Sequence, residues 1–116
     1  MATQQFYVPN QVFVSNNAST ATGVGVSAAM PQYGQSRTPP SKFTWQTITT
    51  GSPSGVSVNL EGSIDGANWV ILDNSTATAG EIRCVVNYPM KFVRTNLATL
   101  TGGTAPTVTG QFVAAQ

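Results

Sequence analysis

From Gly55 to Leu72 the side chains alternate, break, and resume. Val56, Val58 and Leu60 alternate with Ser57, Asn59 and Glu61, which is the period of a strand with one dry face and one wet face. At Asp65-Gly66 the carboxylate can accept from backbone N–H groups two residues on, and glycine tolerates a positive φ. The apolar run Trp69-Val70-Ile71-Leu72 then returns. The stretch predicts a β-hairpin turning at Asp65 and Gly66, with Trp69 as its core anchor.

The rest of the chain follows the same period. Phe43, Trp45 and Thr47 share one parity, while Lys42, Thr44 and Gln46 share the other, giving a strand over 42–50 with Trp45 as a second core candidate. In Glu81 to Asn87 the apolar set Ile82, Cys84 and Val86 is expected inward, with Glu81 and Glu61 on the solvent side. In Met90 to Leu97, Val93 and Leu97 oppose Phe92 and Arg94, and Thr107 to Ala114 is a final β-branched strand. Thr22 to Ser27 predicts a short strand whose glycines mark a bulge or a close backbone contact. Met30 to Pro40, with three prolines and a glycine, predicts a loop carrying Tyr33. No stretch has helical periodicity. The pattern predicts an all-β chain, a single β-sandwich or jelly roll of about seven or eight antiparallel strands without significant helix. Its expected core is Val56, Val58, Leu60, Trp69, Ile71, Ile82, Cys84, Val86, Val93 and Leu97.

The first sixteen residues do not fit a free terminus. Phe6, Tyr7, Val8, Val12, Phe13 and Val14 would each forgo roughly 1.5–3 kcal/mol if left in water. Pro9 cannot donate to a ladder, so residues 1–16 are expected to form an edge strand or an arm laid on a neighbour, with residues 17–116 as the sandwich. In the arm reading, Phe6, Tyr7 and Phe13 are candidate interface residues, buried between subunits or against the surface of a larger assembly.

Composition narrows the chemistry. The 116 residues contain no histidine, so the commonest general base and metal ligand is missing and an enzyme is not expected. The four acids, Glu61, Asp65, Asp73 and Glu81, show neither a catalytic pair nor the dense acidic spacing of a calcium loop, and no phosphate-binding glycine loop occurs. No cofactor is expected. Charged residues are 8% of the chain and the net charge is +1, with no cluster of cations, which argues against nucleic acid as a partner. No run of about twenty apolar residues is present, and no signal-peptide pattern, so no membrane partner is expected. Cys84 is the one cysteine, expected as a buried, inert thiol.

Three segments also carry a resemblance: Leu60-Glu61-Gly62-Ser63-Ile64-Asp65-Gly66-Ala67-Asn68-Trp69, then Pro89-Met90-Lys91-Phe92-Val93-Arg94-Thr95-Asn96, then Leu100-Thr101-Gly102-Gly103-Thr104-Ala105-Pro106-Thr107-Val108-Thr109. Together they resemble small tailed-phage virion proteins, either head decoration (cement) proteins or tail-associated β-sandwich proteins. The first two segments are also similar to discoidin-like jelly rolls. The phage resemblance implies a non-enzymatic structural protein made in the host cytoplasm and carried in the virion. It further implies the major capsid protein or other virion proteins as partners, and a homo-oligomer, trimeric before dimeric. The discoidin-like resemblance implies instead a carbohydrate-binding module for host adhesion.

Overall fold

The computed structural model describes residues 4–9, 11–31 and 39–115. The strands are β1 (Gln4–Phe6), β2 (Phe13–Ser19), β3 (Gly23–Val24), β4 (Ser27–Ala29), β5 (Lys42–Thr50), β6 (Gly55–Ser63), β7 (Val70–Ser75), β8 (Glu81–Val85), β9 (Phe92–Thr101) and β10 (Thr107–Ala115). They form two sheets. One has the order β1-β4-β9-β6-β7, with β3 also paired to β9, and the other has the order β2-β10-β5-β8. The chain is an all-β sandwich, without helix among the described residues. Ten strands occur among the described residues because residues 23–29 form two short ones and residues 4–19 form two more. Not every pair is antiparallel: β1 lies parallel to β4. The Tyr33 loop lies mostly outside the described residues.

The N-terminal segment crosses from one sheet to the other. After β1 the Tyr7 N–H donates to the Ala29 carbonyl, Pro9 falls in the crossover, and β2 then pairs with β10. Tyr7 and Phe13 are therefore covered by the chain's own sandwich, where their rings lie 6.3 and 5.3 Å from Phe112. The last pair of β2 with β10 is Phe13 with Phe112. Beyond it the Tyr7 hydroxyl takes over as partner, accepting from the Ala114 N–H at 3.0 Å. Of the three aromatic groups expected at an interface, Phe6 alone is free, at 84% exposure.

The core forms where the alternation is cleanest: Val56, Val58 and Leu60 of β6, Val93 and Leu97 of β9, Phe43 and Trp45 of β5, and Val108 and Phe112 of β10. Five expected core members lie elsewhere. Ile71, Ile82, Cys84 and Val86 are exposed, and Trp69 is half-buried on an outer face. The parity of β8 is the reverse of the expected one: Val85, Arg83 and Glu81 lie opposite the inward Phe43, Trp45 and Thr47. The reason is position. Strand β8 is an edge of its sheet, β7 is an edge of the other, and the gap between them is filled by charge. Asp73 Oδ2 accepts from Trp45 Nε1 at 3.0 Å and from Arg83 Nε at 2.8 Å, while Arg83 Nη1 donates to Glu81 Oε1 at 3.3 Å. Inward charges on an edge strand satisfy the tryptophan N–H and discourage strand addition.

The opposite seam is closed by neutral polar groups. Ser15 Oγ donates to the Val26 carbonyl and accepts from the Thr95 N–H, and Thr95 Oγ1 donates to Asn16 Oδ1 at 2.6 Å. The Gly25 N–H donates to Thr95 and the Val26 N–H to Ser15, so this short segment bonds to both sheets. Close approach requires small residues here: a Cβ on Gly110 would meet Thr95 Oγ1 at 2.5 Å.

Two measurements check this account. In denaturant titrations Trp45→Ala should cost about 3–5 kcal/mol and Trp69→Ala only about 1–2 kcal/mol; equal losses would place both rings in the core. Burial pushes the Asp73 carboxyl up, but the hydrogen bonds from Arg83, Trp45 and the Asn74 N–H, with the charge of Arg83, together hold it below its ordinary value. Its stabilisation is thus complete above about pH 4 and is lost as the pH falls through its lower folded value. Asp73→Asn should flatten the stability profile at the acid end, as measured by urea midpoints at stepped pH.

Candidate docking surface

The outer faces of the two sheets differ in kind. On the six-stranded sheet, lateral rows place Asn74, Asn59 and Asn96 side by side, with Glu61 and Arg94 in the next row. These groups satisfy one another. Arg94 Nε donates to Glu61 Oε1 at 2.8 Å, Asn96 Nδ2 to Glu61 Oε2 at 3.0 Å, and Asn74 Nδ2 to Asn59 Oδ1 at 2.7 Å. Glu61, expected in solvent, is buried because the hairpin end folds over this face. Trp69 lies there, with the Arg94 guanidinium 4.0 Å from its ring centroid, a cation–π contact that occupies the ring.

The turn that aims Trp69 is built as its residues dictate. Asp65 Oδ1 accepts from the backbone N–H groups of Ala67 and Asn68, each at 2.8 Å, and Oδ2 accepts from Asn68 Nδ2. The Asn68 backbone and side-chain bonds, then those of Ala67 and Ser63, hold the Asp65 carboxyl far below the usual carboxylate range. Gly66 adopts φ +79° and a Cβ there would touch the Phe92 ring, so the turn both reverses and seats against β9. Asp65, Gly66 and Trp69 form one structural unit that fastens the hairpin end to its own sheet.

The four-stranded sheet presents the other kind of face. One row runs Val14, Gln111, Gln46 and Ile82 across β2, β10, β5 and β8, and the next contains Val113, Thr44 and Cys84. Ile82 is 63% exposed, and Val14 and Val113 are also exposed. Among the outward residues of these strands only Lys42, at one end, carries charge. The neutrality follows from the interior: five of the chain's nine charged side chains are engaged in three ion pairs, on the β7–β8 seam and beneath Trp69. Val12 joins Val113, Thr44, Gln46, Gln111 and Ile82 around a shallow hollow of about 100 Å³. The same Val12 borders a second hollow of about 290 Å³ with Phe6, Val8, Gln5 and Gln11, so a surface without charged side chains runs from Phe6 to Ile82.

Phe6, expected at an interface, is exposed, while Ile82 and Cys84, expected in the core, lie on this outer face because their strand reads equally well in either parity. The available signal was the pair Glu81 and Arg83, two opposite charges sharing the parity of Val85.

No protein-family model matches the chain, and no curated protein matches it in sequence. Among solved structures the chain is similar to the SPBc2 prophage-derived protein YomS, with a TM-score of 0.62 and 10% identity over 94% of this chain and 96% of that one. The likeness is one of fold. A glycoside hydrolase family 43 arabinoxylan arabinofuranohydrolase from Bacillus subtilis, solved with cellotetraose, gives a TM-score of 0.42 and 12% identity, and this chain spans 28% of its length.

If the neutral face is free of internal duty, truncation there should not harm the fold. Ile82→Ser and Val113→Ser should each change the unfolding free energy by less than about 0.5 kcal/mol while reducing retention on a hydrophobic-interaction column. A loss of several kcal/mol would show that these side chains support the core.

Proposed function

We propose that the chain is a non-enzymatic structural component of a phage particle, a head decoration protein before a tail-associated one, which binds neighbouring virion proteins through the outer face of its four-stranded sheet. The observation that carries this reading is the continuous, nearly uncharged surface from Phe6 to Ile82. A flat sheet face without charge gains from being covered and offers little to a charged ligand. Decoration of a particle requires only such complementary area repeated over many sites. The fold shared with a prophage-derived protein is in keeping with this role. The absence of histidine from the sequence fits a protein that does its work by contact. A sugar-stacking role for Trp69 has less support, because Arg94 already lies over that ring.

The test is co-sedimentation of the purified protein with phage particles, backed by mass spectrometry of particles and a glycan array. The wild-type chain should be found in particles and should bind depleted ones, and Ile82→Glu should weaken binding on the order of tenfold or more, since it buries a charge. Absence from particles together with clear glycan binding would overturn the proposal in favour of a carbohydrate-binding module.

A further inference from the structure

The row Val14, Gln111, Gln46 and Ile82 has a property that a generic sticky face lacks: it is its own complement. Its two ends are aliphatic and its two central members are amides. Gln111 Nε2 donates to Gln46 Oε1 at 3.0 Å, which leaves the Gln111 side-chain oxygen as a free acceptor and the Gln46 amide nitrogen as a free donor. Rotation by a half-turn about an axis parallel to the strands, between β5 and β10, reverses the row. Gln111 of one copy then meets Gln46 of the other, acceptor to donor and donor to acceptor, and Val14 meets Ile82 at both ends. In an isologous interface residue i contacts j and j contacts i, and this face meets that condition in hydrogen bonding and in apolar matching.

We infer that the outer face of the four-stranded sheet takes a second copy of this chain, packed sheet on sheet about a two-fold axis. The inference deepens the proposed function by naming the occupant of that surface. The axis brings the two Lys42 side chains into one row at the end of the face, where both are exposed and their repulsion is screened by solvent, and no other outward residue of these strands is charged. Area also permits it. Strand β5, nine residues long, with its three neighbours offers a face roughly 30 Å by 19 Å, about 500 Å² after allowance for the shorter strands. A stable interface needs about 1,000 Å² in total, which two such faces supply. Strand addition at β8 is the competing route to a dimer, and the inward Glu81 and Arg83 oppose it. The pairing is two-fold where the family resemblance implied three-fold.

The geometry makes a prediction specific to the register of this pairing. In the row beyond the amides, Cys84 of one copy meets Val12 of the other. Within one copy the two lie three strand spacings apart, about 14 Å, farther than the roughly 10 Å between stacked sheets. Val12→Cys with Cys84 retained should therefore form a covalent dimer with a bismaleimide cross-linker long enough to span that roughly 10 Å gap. The wild type and Val12→Cys combined with Cys84→Ser should not. Sedimentation equilibrium should show the wild type dimerising, with Ile82→Glu weakening the dimer on the order of tenfold or more while its circular dichroism stays unchanged. A wild-type chain that remains monomeric at tens of micromolar overturns the inference. So does a dimer in which Val12→Cys fails to cross-link, or one in which the Cys84→Ser control cross-links equally well. Particle binding by the wild-type chain separates the two readings: a monomer that still co-sediments with particles overturns the dimer alone, and a dimer absent from particles overturns the structural role alone.

Discussion

The sandwich depends on the closure of its open seams. Two stacked sheets bury their facing sides easily, but where the end strands diverge the gap admits water to the core unless something fills it. Here polar groups fill it with their valences satisfied. On one side Asp73 joins Trp45 and Arg83, and on the other Ser15 and Asn16 join Thr95, which is fully buried. Each seam bonds an element of one sheet to an element of the other. Removing a member exposes a buried donor or acceptor, at a cost of about 1–3 kcal/mol, more than the net worth of an ordinary hydrogen bond.

Closure by charge has a consequence for the surface. In a chain with so few ionisable groups, placing Asp73, Glu81 and Arg83 at the seam, and Glu61 and Arg94 beneath Trp69, leaves the four-stranded sheet almost bare of charge. The same inward charges make β8 a poor template for strand addition. In the pairing inferred above, a partner therefore meets the sheet face and not the strand edge. The other sheet does the reverse: its outer amides, carboxylate and guanidinium bond to one another, and the hairpin end covers part of them.

The N-terminal segment illustrates how one stretch can serve both ends. Tyr7 and Phe13 stack on Phe112 and finish the core, and the Tyr7 hydroxyl caps the ladder where β2 leaves β10. Between and around them Phe6, Val8 and Val12 remain outside and extend the neutral face. Alternation along an extended chain produces this division, since neighbouring side chains point opposite ways.

The sequence by itself determined the all-β class, the β6–β7 hairpin with its Asp65 and Gly66 turn, and the inward set of β5, β6 and β9. In these places period, turn chemistry and burial agree, and local rules suffice. Only the tertiary structure decided the parity of β8, the place of Trp69 and the burial of Tyr7 and Phe13 within their own chain. Glu81 to Val86 has apolar residues on both parities, so its facing was set by a distant partner, Asp73, and by the need of Trp45 Nε1 for an acceptor. Trp69 follows a turn in either reading, and the guanidinium of Arg94, from a strand twenty-five residues on, drew it to the outer face. The neutral face was equally illegible along the chain, because it is assembled from four strands whose order, β2-β10-β5-β8, brings residues nearly a hundred positions apart into one row.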